Sequence, residues 1–241
     1  MIDVDSIHGI KELIEKAKWL EGKTFEEISR EVQQSDRAPR ARTKGVAGYL
    51  IENGYFGIKK NSDPNPDIKN LGAEIKTCPI KYIASKGIYA VKEPLSLNII
   101  NYEEEAKSNS IRESSLYRKN KKILFIFYLY DKSLRRSKWK VKYVFLWDMD
   151  QKVIAELEPD YQKIIEKIKR GEAHLIHQTE HRWLTLCPKH VTGRKYTKQL
   201  PGFPHAEIRA FRLKSRYVAL IITRYLKVPL LEFGRVYGWR E

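Results

Sequence analysis

Apolar positions along the 241-residue chain change their spacing several times, and each change marks an element. Ile7, Ile10, Leu13, Ile14 and Ala17 recur at helical spacing behind Ser6, which predicts a helix capped by that serine. Thr24-Phe25-Glu26-Glu27 has the capping-box pattern and predicts a second helix to Val32. Residues 34–43 are polar and contain a proline, so they read as a loop; Thr43 then caps a third helix that ends near Gly54. Turn formers fill 61–66, after which strand-like runs take over. Leu71–Ile80, Ile88–Val91 and Leu95–Ile100 read as strands, and 101–118 is a polar stretch. Lys121–Tyr130 and Trp139–Trp147 are long β-rich runs, the second with Val141, Tyr143, Phe145 and Trp147 in alternation. Pro159 opens a helix to about Arg170, which Gly171 stops. Leu175–Pro188 has the pattern of a hairpin, 192–205 that of a loop, and Phe211–Leu213 that of a short strand. Ser215 caps a last helix to about Leu226. Helices flanking a mixed sheet give an α/β (α+β mixed) class.

Composition narrows the class. With 42% apolar residues and 27 aromatic rings the chain can bury a core, so wholesale disorder is excluded. No run of 18 uncharged apolar residues occurs, which predicts no membrane span, and the N-terminus lacks a signal-peptide pattern. Cys78 and Cys187 are too few for a disulfide framework, and a cytoplasmic location is expected. The net charge of +16 points to a polyanion. It is segregated: residues 1–106 hold 16 Lys+Arg and 17 Asp+Glu, whereas residues 107–241 hold 30 and 13. A single domain over 1–241 is therefore expected, with 1–106 mainly catalytic and 107–241 a basic lobe suited to phosphates.

The chemistry concentrates in Pro66-Asp67-Ile68-Lys69-Asn70-Leu71-Gly72-Ala73-Glu74-Ile75-Lys76. Glu74 and Lys76 are two apart on a strand and leave the same face. Asp67 precedes the Leu71-Gly72 turn, so a chain that folds back there brings its carboxylate to Glu74. Two converging carboxylates need a cation, and oxygen-only ligation suits Mg²⁺. A lysine beside that metal can orient a water, an arrangement for phosphodiester hydrolysis. Lys44, Gly48 and Glu52 are four apart on one helical face, and Glu52 offers a third carboxylate. Gly45 and Gly48 weaken that helix, which points to close approach by another backbone.

Lys44-Gly45-Val46-Ala47-Gly48-Tyr49-Leu50-Ile51-Glu52, then Asp67, then Leu71-Gly72-Ala73-Glu74-Ile75-Lys76-Thr77-Cys78-Pro79-Ile80 resembles the MutH family of PD-(D/E)xK nucleases. That family includes the mismatch-repair nicking enzyme and MutH-like type II restriction endonucleases that cut at GATC. The resemblance implies a restriction-endonuclease-like central mixed sheet flanked by helices, with two lobes forming a DNA cleft. It implies Asp67, Glu74 and Glu52 as metal ligands, Lys76 as the residue that positions water, and Lys44 near the cleaved phosphate. A further active-site lysine precedes a strand in the family; Lys119 aligns best, with Lys121 and Lys122 as alternatives. The element that reads bases corresponds to Cys187-Pro188-Lys189, where Cys187 stands in place of an arginine and lacks its bidentate fork. Arg212 and Lys214 alternate on a strand and are further DNA-binding candidates; Arg212 occupies the place of a tyrosine of the nicking enzyme. The implied function is Mg²⁺-dependent, site-specific cleavage of double-stranded DNA by a prokaryotic type II restriction endonuclease, typically monomeric, with a cognate DNA methyltransferase. The alternatives are a mismatch-repair nicking endonuclease and a non-catalytic DNA-binding protein.

Overall fold

The computed structural model describes residues 2–33, 45–59, 63–189 and 193–241. Helix α1 (Ile10–Lys18) starts later than Ser6 predicts: Ser6 Oγ donates to Asp3 O within a 3-10 turn, and the α-helix begins behind Gly9. Helix α2 (Phe25–Gln33) has the predicted capping box, Glu27 N donating to Thr24 Oγ1 at 3.2 Å and Thr24 N to Glu27 Oε2 at 2.7 Å. Thr43, the expected cap of the next helix, lies outside the described residues. Helix α3 (Val46–Gly48) continues as a π-wound segment, Tyr49–Tyr55. Strands β1 (Ala73–Ile83), β2 (Ile88–Val91) and β3 (Leu95–Ile99) follow the sequence pattern. The polar stretch after them holds two short helices, α4 (Tyr102–Glu105) and α5 (Ser115–Asn120), capped by the side chains of Asn101 and Ser114.

Strands β4 (Lys122–Leu129) and β5 (Lys140–Asp148) lead to α6 (Gln151–Lys169). Pro159 does not open α6 but lies inside it; the true cap is Asp150, whose carboxylate accepts from Val153 N at 2.9 Å. An interior proline forfeits one ladder bond, which a helix of 19 residues tolerates here. The expected hairpin over Leu175–Pro188 is instead two 3-10 turns followed by β6 (Leu184–Pro188). Buried Asp160 explains this: it accepts from the amides of Arg182, Trp183 and Leu184 at 2.8, 2.5 and 2.9 Å, so the entry to β6 is tied to α6. The chain ends with β7 (Tyr196–Thr197), β8 (Ala206–Glu207), β9 (Arg209–Leu213), α7 (Ser215–Leu226), β10 (Leu231–Phe233) and β11 (Val236–Trp239).

Two compact units emerge, Met1–Lys92 with Lys122–Asp148 and Arg240, and Glu93–Lys121 with Met149–Trp239 and Glu241. In the first, strands run in the order β2-β1-β4-β5, with β1 and β4 parallel and the other neighbours antiparallel. One sheet face, including Ala73, Ile75, Leu124, Ile126 and Val144, packs with Leu13, Ala17, Ile28 and Ile51 in a buried core. The alternation expected from Val141 to Trp147 is broken by a bulge: Tyr143 opposes Phe127 while Val141 opposes Tyr128, so Val141 joins the helix-covered face. The second unit contains the antiparallel sheet β3-β9-β6 and the pairs β7–β8 and β10–β11. Lys+Arg exceed Asp+Glu by 9 in the first unit and by 7 in the second. Among the described residues no helix is long and apolar enough to cross a membrane.

Candidate active site

A tight reversal builds the site. Ile68 and Ala73 pair antiparallel, with Ile68 N to Ala73 O at 2.9 Å and Ala73 N to Ile68 O at 3.2 Å. The turn between them is a 3-10 segment, Lys69–Leu71, closed by Gly72 at φ 61°, a left-handed conformation that favours glycine. This returns Asp67 to the start of β1. Asp67 N donates to Glu74 Oε2 at 3.1 Å, and Ile75 N donates to Asp67 Oδ2 at 3.0 Å. Each carboxylate is thus held by an amide beside the other.

Glu74 is 2% exposed, and a buried carboxylate requires compensation. Lys76 supplies it from two positions along β1: its Nζ lies 2.5 Å from Glu74 Oε1, and its side chain remains 18% exposed. The buried carboxylate therefore meets an ammonium that still reaches solvent. The oxygen-only pair Asp67 and Glu74 matches the donors Mg²⁺ prefers, a hard cation that completes its octahedron with water and phosphate oxygens.

The π-wound segment after α3 brings Glu52 to the sheet. A Cβ at Gly48 would stand 3.3 Å from Glu52 Oε1 and 3.5 Å from Thr77 Oγ1, so Gly48 admits both side chains. The backbone approach expected at these glycines is not found: Gly48 meets side chains, and Gly45 serves its own backbone geometry, at φ 92° with open space around it. Thr77 is the neighbour that sequence reasoning missed, because only the fold places it by Gly48. Thr77 is one residue from Lys76 and therefore on the opposite side of β1 from Glu74 and Lys76. Among the described residues no group of three or more His, Cys, Asp or Glu could hold a metal ion, so Asp67 and Glu74 come together without Glu52 as a third member. Lys44 lies outside the described residues.

The three candidate lysines before β4 sit differently. Lys119 is half-buried in the last turn of α5, Lys121 is exposed behind it, and Lys122 begins β4 opposite Ala73. The DNA-binding candidates in the second unit also separate. Cys187 is buried with its thiol 3.8 Å from Ser96 Oγ, so it is a packing residue rather than a surface contact. Pro188 and Lys189 beyond it are exposed. Arg212 is half-buried on β9, paired with Thr185 and Ser96 of the neighbouring strands, and its Nε is buried without a hydrogen-bond partner. Lys214 follows β9 and donates from Nζ to His181 O; burial lowers its pKa from the ordinary lysine value. That ammonium is engaged within the unit.

Known proteins resemble the chain over most of its length. The type II restriction enzyme Sau3AI of Staphylococcus aureus is 35% identical over 187 residues, 77% of this chain but 38% of that protein, so the chain spans well under half of Sau3AI. The DNA mismatch repair protein MutH of Actinobacillus pleuropneumoniae serotype 3 (strain JL03) is 28% identical over 232 residues, 92% of this chain and 97% of that one. MutH of Vibrio cholerae serotype O1 (strain ATCC 39541 / Classical Ogawa 395 / O395) is 26% identical over 221 residues, covering 89% and 96%. A mixed sheet flanked by helices, with an Asp–Glu–Lys set where its first strand begins, places the chain in the restriction-endonuclease-like fold class. The family model described as DNA mismatch repair enzyme MutH matches residues 56–160, the stretch holding Asp67, Glu74, Lys76 and Lys119. The chain belongs to the MutH family.

Proposed function

We propose that the protein is an endonuclease that uses Mg²⁺ to hydrolyse phosphodiester bonds in double-stranded DNA at a short site, GATC or a related sequence, as a type II restriction enzyme. The observation that carries this reading is the convergence of Asp67 and Glu74 with Lys76 on the inner carboxylate. Asp67 and Glu74 hold the ion, which when bound polarises the scissile phosphate and lowers the pKa of a water. Lys76 balances the Glu74 charge and orients the attacking water with its remaining donors. The resemblance adds Glu52 as a further acidic residue, Lys44 as a residue that acts near the cleaved phosphate, and Lys119 as the further active-site lysine. Lys189 and Arg212 contact DNA, and Lys189 has a donor suited to guanine O6 or N7. Cleavage of host DNA is avoided through a cognate methyltransferase, and the enzyme acts as a monomer in the bacterial cytoplasm.

Incubating the purified protein with unmethylated plasmid and Mg²⁺, then sequencing the product ends, tests this. Linear fragments with one common end sequence are expected. Absence of any metal-dependent product, with DNA binding retained, would identify a non-catalytic binder and refute the reading. A second reading, a mismatch-repair nicking endonuclease, is favoured by relatives named DNA mismatch repair protein MutH that match 92% and 89% of the chain. Its product is an open circle cut in one strand. Identity of 35% to a restriction enzyme supports the first reading.

A further inference from the structure

We propose that Asn98 is a positioning residue for Lys119, acting through Asn120 and Ser115 at the two ends of α5. The inference rests on the nuclease reading in which Lys119 is an active-site lysine. Helix α5 has six residues, far too few to be stable by itself, so its neighbours set its orientation. At its start, Ser114 Oγ accepts from Tyr117 N at 3.0 Å. Glu105, 1% exposed, accepts from Ser115 N at 3.3 Å, Ser115 Oγ at 2.5 Å and Tyr161 OH at 2.9 Å. At its end, buried Asn120 donates from Nδ2 to Leu116 O at 3.0 Å and to Asn98 Oδ1 at 2.9 Å. Asn98, on β3, returns a hydrogen bond from Nδ2 to Ser115 Oγ at 3.0 Å. One side-chain amide thereby spans the helix from first residue to last.

The consequence falls on Lys119. Ser115 and Lys119 are four apart and share a helical face, so the grip on Ser115 and on adjacent Asn120 fixes the rotation of that face. A side-chain end about 6 Å from a helix axis moves about 1 Å for each 10° of rotation. Displacement of that size at a reacting centre costs up to about 10²-fold in rate. Asn120 Oδ1 is buried without a hydrogen-bond partner, a penalty that an apolar residue at this position would avoid. The other end of that amide is what ties the helix to Asn98.

The test is a double-mutant cycle on the full chain, read as single-turnover cleavage rate, DNA affinity and thermal midpoint. Asn98→Ala is expected to slow cleavage 10- to 100-fold with DNA affinity within about threefold, and Ser115→Ala to slow it less. In a Lys119→Ala background, Asn98→Ala should cost less than about threefold more, because the group it orients is gone. Equal losses in both backgrounds, or cleavage indifferent to Lys119→Ala, would overturn the inference. A wild-type protein that binds but never cuts DNA refutes the nuclease reading instead, so the two failures are distinguishable.

Discussion

Gly171→Ala should destabilise the protein by about 2–5 kcal/mol, and Phe203→Ala should relieve part of that cost. Two independent features make the position intolerant. The first is backbone: Gly171 has φ 72° and forms the left-handed end of α6, where Gly171 N donates to Ile168 O at 2.9 Å and Glu172 N to Lys167 O at 2.8 Å. These are the two bonds of a Schellman motif, and an L-residue there loses about 1–2 kcal/mol. The second is space. A Cβ at this position would lie 2.1 Å from Phe203 Cδ1 and 2.3 Å from Phe203 Cγ, well inside carbon–carbon contact at about 3.5–4.0 Å. The ring must move by more than 1 Å. Its loop is not free to follow, because buried Gln199 donates to Pro204 O at 2.5 Å and accepts from Ala173 N at 3.1 Å. Overpacking of this kind costs about 1–3 kcal/mol. Phe203→Ala alone, losing a ring that is 46% exposed, should cost about 1 kcal/mol. In the double variant only the backbone penalty of Gly171→Ala should remain, giving a coupling of about 1–3 kcal/mol. Urea unfolding followed by circular dichroism measures all four stabilities. Coupling below about 0.5 kcal/mol would refute the contact, and a neutral Gly171→Ala would refute the backbone argument as well.

Three further outcomes are expected. Asp67→Asn keeps an acceptor for Ile75 N, so unfolding should change little while Mg²⁺-dependent cleavage is lost and DNA affinity persists; wild-type cutting would refute the assignment. Gly48→Ala has an ordinary helical φ of −57° and meets Glu52 Oε1 at 3.3 Å, so a gain of up to about 1 kcal/mol is expected in unfolding experiments if the carboxylate yields; a loss would show Glu52 and Thr77 to be rigidly held. His181 is buried, and desolvation lowers its pKa below the ordinary value of 6.5. The unfolded chain then binds a proton that the folded one resists, so this residue's contribution to stability should be lost as pH falls below about 6.5. His181→Asn should flatten that part of a stability-versus-pH profile, and an unchanged slope would count against it.

The site was legible in the sequence wherever its geometry is local. Asp67, Gly72, Glu74 and Lys76 lie within ten residues, so strand alternation and one glycine turn suffice to bring them together. The capping box at Thr24 was readable for the same reason. Errors arose where distant partners decide. Pro159 signals a helix start, yet Asp150 caps the helix and the proline is carried inside it. Nothing local to Leu175–Pro188 announces that Asp160 will capture three of its amides. The bulge at Lys142 shifts Val141 to the other face, which an alternating pattern cannot reveal. Helices α4 and α5 were hidden because their signals are caps and buried polar contacts, with too few apolar residues to set a period.

Charge shows most plainly how sequence order and folded order diverge. Along the chain, the excess lies almost wholly after residue 106. The fold redistributes it, because Lys122–Asp148 returns to the first unit carrying Lys132, Arg135, Arg136, Lys138, Lys140 and Lys142. That unit, which also carries Asp67 and Glu74, ends with the larger surplus, 9 against 7. For phosphodiester chemistry the difference matters. A carboxylate pair alone repels a polyanion, and a surplus of cations in the same unit offsets that repulsion without help from a separate basic lobe. Cations able to meet phosphates therefore lie in both units. Neutralising Lys132, Arg135 and Arg136, all exposed, should weaken DNA binding and flatten its salt dependence as much as neutralising three exposed cations of the second unit.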